Sequence, residues 1–326
     1  MTNPQGGRSN RPRSKKICAP STGKFQIKSS RQTLVRAGAA LAVGLGLTAA
    51  TGAAHAQDRL FDSGKLLLTG GLSDIEGAGG GGIASWATIT GYETDTGIGA
   101  NAHATYVSTQ GYALTDYGAA VGLFNRVELS YAREQFDTQS IGGKLGLGDG
   151  FTFDQDVYGA KVRLIGDVVY DQNSLLPEIS VGLQYKHNDK GAIVHAVGGK
   201  DDSGTDYYIA ATKLFLNQSL VVDATVRFTK ANQTGLLGFG GDLHNDYSPQ
   251  FEGSVGYLIT KHLAVGGEYR TKPSNLGFAK EDDWYDLFAA YALNKHLSVT
   301  LAYADLGDIA TFKNQNGVYV SLQAGF

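Results

Sequence analysis

The stretch Val318–Phe326, VYVSLQAGF, alternates side chains with a period of two up to the last residue. Ala324, Leu322, Val320 and Val318 share a face with Phe326, while Gly325, Gln323, Ser321 and Tyr319 occupy the other. Chain ends commonly fray. An alternation carried into the carboxylate therefore reads as a strand held in a sheet, with Phe326 as a candidate recognition signal.

The same period recurs upstream. In SLVVDATVRFTK (219–230), Leu220, Val222, Ala224, Val226 and Phe228 oppose Val221, Asp223, Thr225, Arg227 and Thr229. HLAVGGEYR (262–270), PEISVGLQYKHN (177–188), QFEGSVGYLI (250–259), YDLFAAYAL (285–293) and HLSVTLAYADL (296–306) repeat the scheme. Several runs reach the roughly 9–11 residues that a tilted strand needs to cross a bilayer, longer than the usual globular strand of about 5–6.

Connections alternate in kind. Tight turns at 124–126, 217–218, 260–261 and 294–295 interleave with long polar loops at 137–152, 188–204, 232–248, 272–282 and 307–315, and the middle-length 167–176 falls on the tight-turn side. Short turns at one rim and long loops at the other characterise a transmembrane β-barrel with its long loops outside the cell. Hydrocarbon offers no partner to backbone N–H and C=O groups, so the sheet must close on itself. The expectation is an all-β, transmembrane antiparallel up-and-down β-barrel of fourteen strands, counting a Gly-rich hairpin at 66–90. Setting that hairpin inside as a plug gives the alternative of twelve. Tyr131, Tyr185, Tyr257, Tyr269, Tyr291 and Tyr303 lie near run ends, where interfacial girdles form.

Composition agrees, with 45 Gly against 6 Pro, 18% charged residues and a mean hydropathy of −0.16. Residues 1–56 read as a signal peptide cleaved after Ala56. Nine Lys and Arg residues and no acid precede the run AGAALAVGLGLTAA and the small-residue site AHA. The expected barrel is then 57–326, exported to the outer membrane of a Gram-negative bacterium. Losing nine of 28 Lys+Arg leaves 19 against 31 Asp+Glu, a formal charge of −12. Nucleic acid is thereby disfavoured as a partner. Cys18, the one cysteine, lies in the removed segment.

The polar faces place Arg126, Glu128, Glu134, Lys161, Arg163, Glu178, Lys186, Asp223, Arg227, Glu252, Glu268, Arg270 and Asp286 on the lumen wall. Their signs nearly balance, which suits cross-strand pairing as well as a polar pore, and lacks the single-sign rings of a strongly selective channel. EGAGGGGIASWATITGY (76–92) has no Lys-Ser/Thr of a phosphate loop and reads as a glycine-rich hairpin. His103, His187, His195, His244 and His262 stand in no hydrolase or zinc motif and read as loop or strand-end residues. The acids of 149–156 and 201–206 read as solvated loops. No catalytic residue, metal or cofactor is expected.

GKLLLTGGLSDIEGAGGGGIASWATITGY, GLFNRVELSYAREQFDT and DVYGAKVRLIGDVVYDQNSLLPEISVGLQYKHN together resemble a proteobacterial family catalogued as domain of unknown function 3034, over about Gly64 to Phe326. The resemblance implies an outer-membrane barrel and carries no substrate or catalytic residue with it. Outer-membrane barrels typically end in a strand whose terminal Phe engages the barrel assembly machinery, and Phe326 resembles that signal. The leading expectation is a passive channel or uptake protein for small solutes, hydrophobic ones among them. The alternatives are a non-conducting structural or interaction barrel whose acidic loops meet lipopolysaccharide and, last, a barrel enzyme acting on lipids.

Overall fold

The structure, a computed structural model, describes residues 65, 68 and 72–326. The expected signal peptide, 1–56, lies outside the described residues. Twelve antiparallel strands follow one another along the chain: β1 Ile98–Thr109, β2 Ala113–Leu123, β3 Val127–Asp137, β4 Thr152–Ile165, β5 Glu178–Asn188 and β6 Ser203–Phe215, then β7 Leu220–Thr229, β8 Ser248–Thr260, β9 Leu263–Arg270, β10 Trp284–Ala292, β11 Leu297–Asp305 and β12 Asn316–Gly325. Each pairs with its sequence neighbours, and β12 pairs with β1 to close the barrel, with Thr105 opposite Ser321. No edge remains to need a partner.

The terminal stretch takes its place at this closure. Val318 and Val320 are exposed on the outside, while Tyr319, Ser321 and Gln323 are buried within. Phe326 donates its N–H to the Ala100 carbonyl (2.8 Å), and its own carbonyl accepts the N–H groups of Tyr92 (2.9 Å) and Ala100 (3.1 Å).

The outer wall is apolar. Leu129, Tyr158, Leu183, Ile209, Val226, Phe251, Val255, Leu287, Leu301 and Val318 all stand exposed on it. Full burial of each would be worth about 1.5–3 kcal/mol, so even at half that, leaving these ten in water would forgo about 7–15 kcal/mol, as much as a whole domain's net stability. Lipid rather than water suits this surface. The six girdle tyrosines are exposed on it as well.

The count of fourteen strands is corrected to twelve. Residues 72–93 form no part of the wall. They make isolated bridges, Ser73 to Gly79 and Gly80 to Ser85, and lie inside the barrel. Their run of glycines gives no alternating face to offer to lipid, and Asp74 and Glu76 within it are fully buried, which only a polar interior allows.

At the long-loop rim the connections are structured. The β3–β4 loop carries α1 (Gln139–Lys144), and the β5–β6 loop carries α2 (Gly191–Ala196). The β7–β8 loop turns in over the mouth, where Ala231, Asn232, Gln233, Thr234, Leu236 and Phe239 are all buried. Among the described residues no helix is long and apolar enough to cross a membrane.

Candidate functional site: a plugged lumen beneath an apolar pocket

Strand alternation aims the polar residues of β3 to β10 inward, and the segment 72–93 meets them there. Irregular backbone inside a barrel must find hydrogen-bond partners or stay unpaired at a cost. Here the wall's side chains supply them. Glu128 accepts the N–H of Gly79 at Oε1 (2.9 Å) and of Thr90 at Oε2 (2.8 Å). Glu268 Oε2 accepts Gly82 (2.6 Å) and Ile83 (2.8 Å), and Glu252 Oε2 accepts Ser85 (3.0 Å). In the other sense, Lys161 donates to the carbonyls of Gly79 (2.9 Å) and Trp86 (3.1 Å), Thr225 to Ser85 (2.7 Å) and Ser180 to Ala87 (2.6 Å). Gln323 on β12 clasps Ser73, accepting its N–H (2.9 Å) and donating to its carbonyl (3.2 Å).

Glu76 is the electrostatic centre. Arg270 reaches it at 3.0 Å, Arg227 at 3.4 Å, and Lys186 forms a short bond to it. The three cations are shared with wall acids: Lys186 with Asp206 (2.7 Å), Arg270 with Glu252 (3.4 Å) and Arg227 with Glu252 at close range. All of these groups are fully buried or nearly so. Removing one partner from such a network leaves an uncompensated buried charge, so the network favours one position of the plug.

Glycine is what lets the plug approach the wall. A Cβ on Gly81 would overlap the carboxylate of Glu268, which Ser254 and the two plug amides already pin. A void beside Gly81, Gly82 and Tyr319 measures about 10 Å³, room for a single water molecule.

Of the thirteen residues expected on the lumen wall, twelve are buried and Arg126 is exposed. Glu128, Glu134, Lys161, Arg163, Glu178, Lys186, Asp223, Arg227, Glu252, Glu268, Arg270 and Asp286 are buried inside the barrel. Glu134 accepts Gln155 Nε2 (3.1 Å), Glu178 accepts the N–H of Val168 (3.0 Å), Asp223 accepts the Thr212 hydroxyl, and Asp286 lies opposite Glu268 in the β9–β10 register. Arg163 pairs with Asp167 (2.7 Å) and Asp95 (3.1 Å) at the short-turn rim. Arg126 is the correction. It is exposed in the tight turn before β3, its guanidinium 3.4 Å from the Leu164 carbonyl, because the two-residue period begins only at Val127.

Two further readings are corrected. His103 is neither a loop nor a strand-end residue; it sits within β1, buried, with Nε2 2.7 Å from Asp116 Oδ2. Asp206 belongs to β6 and faces Lys186 rather than solvent. Asp154 and Asp156, by contrast, are partly exposed and pair with Arg133 at 3.0 and 2.8 Å. Sequence reasoning missed Asp74, Glu76 and Asp206. Two acids just ahead of a glycine run, the only charged residues between Leu66 and Tyr92, are the signal that could have marked the plug.

Above the plug, at the long-loop rim, lies an apolar pocket of about 270 Å³. Ile75 from the plug, Tyr112 from the β1–β2 turn, Leu114 from β2, Phe136 from β3 and Trp284 from β10 form its wall, with Leu236 from the inturned loop. Beside it, Lys272 and Glu281 form a buried ion pair at 2.9 Å, and the Lys272 ammonium lies 4.5 Å from the centre of the Trp284 ring. Burial pushes the Glu281 carboxyl up and the Lys272 ammonium down, each against the pull of the other.

The family described as "Protein of unknown function (DUF3034)" matches residues 69–323. No curated protein matches the sequence. Among solved structures, the KdgM porin in complex with disordered oligogalacturonate is similar at a TM-score of 0.46 and 12% identity, over 69% of this chain and 99% of that one. The NanC porin aligns at 0.44 and 12%, over 70% and 98%. Outer membrane phospholipase A from Escherichia coli aligns at 0.41 and 12%, over 69% and 92%. Neither the oligogalacturonate named with the first nor the activity in the name of the third is carried over to this chain.

Proposed function

The chain belongs to the DUF3034 family, and from that premise, which names no substrate, we propose a barrel of the Gram-negative outer membrane that takes up small solutes, hydrophobic ones among them, through a lumen kept shut by residues 72–93. One observation carries the reading. Ile75 is at once part of the apolar pocket and the chain neighbour of Glu76, the residue that the wall cations hold. A solute entering the pocket from the long-loop side therefore meets the plug there, through Ile75. The balanced, paired charges argue for a closed resting state rather than a standing aqueous pore.

A filled lumen also suits a non-conducting structural barrel, its acidic loops turned toward lipopolysaccharide. The pocket favours uptake, since a purely structural cylinder has no use for one. Phe326, seated where β12 meets β1, is the residue the assembly machinery would engage.

Tethering the plug tests the proposal. Ser73→Cys with Gln323→Cys, joined by a disulfide formed as the barrel folds and opened by reduction for the untethered state, fixes the plug to β12. Uptake of small apolar solutes into proteoliposomes is expected to fall at least tenfold on tethering and to persist in the untethered double variant. Equal uptake in both, or none in either, contradicts it.

A further inference from the structure

The plug has two unlike sides. Toward β3–β9 it is held by charge and hydrogen bonds, with Lys186, Arg227 and Arg270 on Glu76 and with Glu128, Lys161 and Glu268 on its backbone. Toward β10–β12 the wall is nearly uncharged. β11 and β12 turn no charged side chain inward, and β10 turns one, Asp286, which lies opposite Glu268. Gln323 clasps Ser73 on this side, and Ile75 and Ile83 of the plug pack in one cluster with Ala302, Ala304 and Tyr319.

This packing is continuous along the barrel. The cluster begins at the pocket, with Tyr112, Leu114, Trp284 and Leu306, and runs past Ala304 to Ala302 and Tyr319, where Phe288 packs against it. Phe288 also packs against a second cluster, Leu68, Ala264, Ala290 and Ala292, which reaches the short-turn end of β9 and β10. The register fixes the order, since Phe288 lies opposite Ala302 and Ala302 opposite Tyr319, in one row across three strands.

Three features make this seam the side on which the plug can part from the wall. Its wall carries alanine at 264, 290, 302 and 304, so little bulk stands in the way. The water-sized void lies on it, between Leu72, Gly81 and Gly82 of the plug and Phe288, Thr300 and Tyr319 of the wall. The ion pairs of Glu76 run to β5, β7 and β9, so parting here uncovers none of them.

The seam also selects. A charge or a set of hydroxyls passing Ala302 and Ala304 would lose water and gain no partner. At the head of the seam, the Tyr112 hydroxyl already donates to the Ile309 carbonyl (3.3 Å) and Thr138 to Phe151 (2.8 Å). An apolar cavity of about 150 Å³ binds benzene, so the pocket of about 270 Å³ admits a ring with a short side chain.

We propose that solutes leave the pocket along this seam, between the plug and β10–β12, while the ion cluster at Glu76 keeps the plug in place, and that they are uncharged hydrocarbons of alkylbenzene size. The assignment rests on the barrel taking up solutes by way of the pocket, and adds their path and class.

Ala302 and Thr225 test it as a pair. Each is the sixth residue of its strand from the short-turn rim and each is buried, but Ala302 lines the seam whereas Thr225 holds the Ser85 carbonyl on the charged side. Ala302→Cys and Thr225→Cys are made singly in the full chain carrying Cys18→Ser, with Leu175→Cys at the exposed rim to calibrate the reagents. In micelles each is treated with uncharged methyl methanethiosulfonate and with its 2-(trimethylammonio)ethyl counterpart. Relative to position 175, the thiol at 302 is expected to react about tenfold or more faster with the uncharged reagent than with the cation. It should also outpace the thiol at 225 toward the uncharged reagent by about tenfold or more. Saturating ethylbenzene should slow the reaction at 302 severalfold. Ala304→Phe, which narrows the seam on the pocket side, should do the same while heat-modifiable migration is kept. Equal rates for the two reagents at 302 mark an aqueous path, equal rates at 302 and 225 mark general breathing or partition into micelles, and no reaction at 302 marks inert core; each overturns the proposal. So does a reaction at 302 that ethylbenzene leaves unchanged. No flux is measured, so uptake that the 73–323 tether fails to alter, with the response at 302 intact, counts against transport alone.

Discussion

Arg270 on β9 grips Glu76 of the plug with two parallel hydrogen bonds, Nη1 to Oε2 and Nη2 to Oε1, each 3.0 Å, across 194 residues of chain. A planar guanidinium matched to a carboxylate in this way fixes orientation as well as distance. Because Arg227 and Lys186 converge on the same carboxylate, the plug is tied to three strands at one point.

Glu76→Gln should therefore loosen the plug without opening the wall. Breaking one partner from a buried ion cluster costs about 3–5 kcal/mol, so exchange of the Gly79, Gly82 and Ile83 amide hydrogens is expected to quicken roughly 100-fold or more while the β1–β12 amides keep their protection. The exposed Asp189–Lys190 pair is the contrast: Asp189→Asn should shift stability by under about 0.5 kcal/mol. Hydrogen exchange read by mass spectrometry separates the two; unchanged plug protection in Glu76→Gln would contradict the anchoring role.

Gly81→Ala should disturb the same contact sterically. The added methyl displaces a Glu268 carboxylate that three donors hold, at about 1–3 kcal/mol. Gly146 in the β3–β4 loop has φ +78° and open space around it, so Gly146→Ala should bring only local backbone strain of about 1–2 kcal/mol. Faster exchange at Gly82 and Ile83 in the first variant, and none in the second, is the expected pattern.

Asp167 gives the short-turn rim a dependence on acid. Burial pushes its carboxyl up, but the N–H groups of Tyr170 (2.8 Å) and Val169 (2.9 Å) and the Arg163 guanidinium (2.7 Å) outweigh burial and hold it below its ordinary value of 3.8. A carboxyl with a lowered folded value stabilises fully above the unfolded value and loses that contribution as pH falls through the folded one. Protection of the Val169 and Tyr170 amides, corrected for intrinsic exchange, should hold from pH 7 to about 4 and decline below about 3.8. Asp167→Asn should show weaker protection throughout and no such step. A flat profile in the unsubstituted chain would contradict the assignment.

Deleting Phe326 should weaken the seam rather than the strands. Its carbonyl serves both Tyr92 and Ala100, and its ring stacks on His296 with centroids 5.1 Å apart. The yield of heat-modifiable barrel is expected to drop at least severalfold on deletion and to recover with Phe326→Tyr, which keeps a ring to stack. Undiminished yield on deletion would remove Phe326 from assembly.

The wall was legible because lipid and lumen impose opposite demands on successive residues. Asp223, Thr225 and Arg227 face inward and Val226 and Phe228 outward, as their alternation requires. The plug was not legible in this way. Its conformation is dictated by partners such as Glu128 and Glu268, far off in sequence, and a glycine run has no period to betray it. Arg126 fell one residue outside a strand, where alternation carries no information. The pocket gathers Ile75, Leu114, Leu236 and Trp284 from four distant segments, so no local spacing could announce it. The buried partner of Lys186, Asp206, hid among loop-like acids because the start of β6 has the composition of a loop.

The most direct test is the reactivity of a thiol placed inside the barrel. Ser73 is 1% exposed with a hydroxyl that has no partner among the described residues, so Ser73→Cys is nearly isosteric; Leu175, at the short-turn rim, is 86% exposed. With the native Cys18 absent, a cysteine at 73 should resist a charged maleimide in the folded, detergent-solubilised barrel and react once it is denatured, whereas one at 175 should react in both states. Prompt labelling at 73 in the folded barrel would mean that the glycine-rich segment lies outside the cylinder.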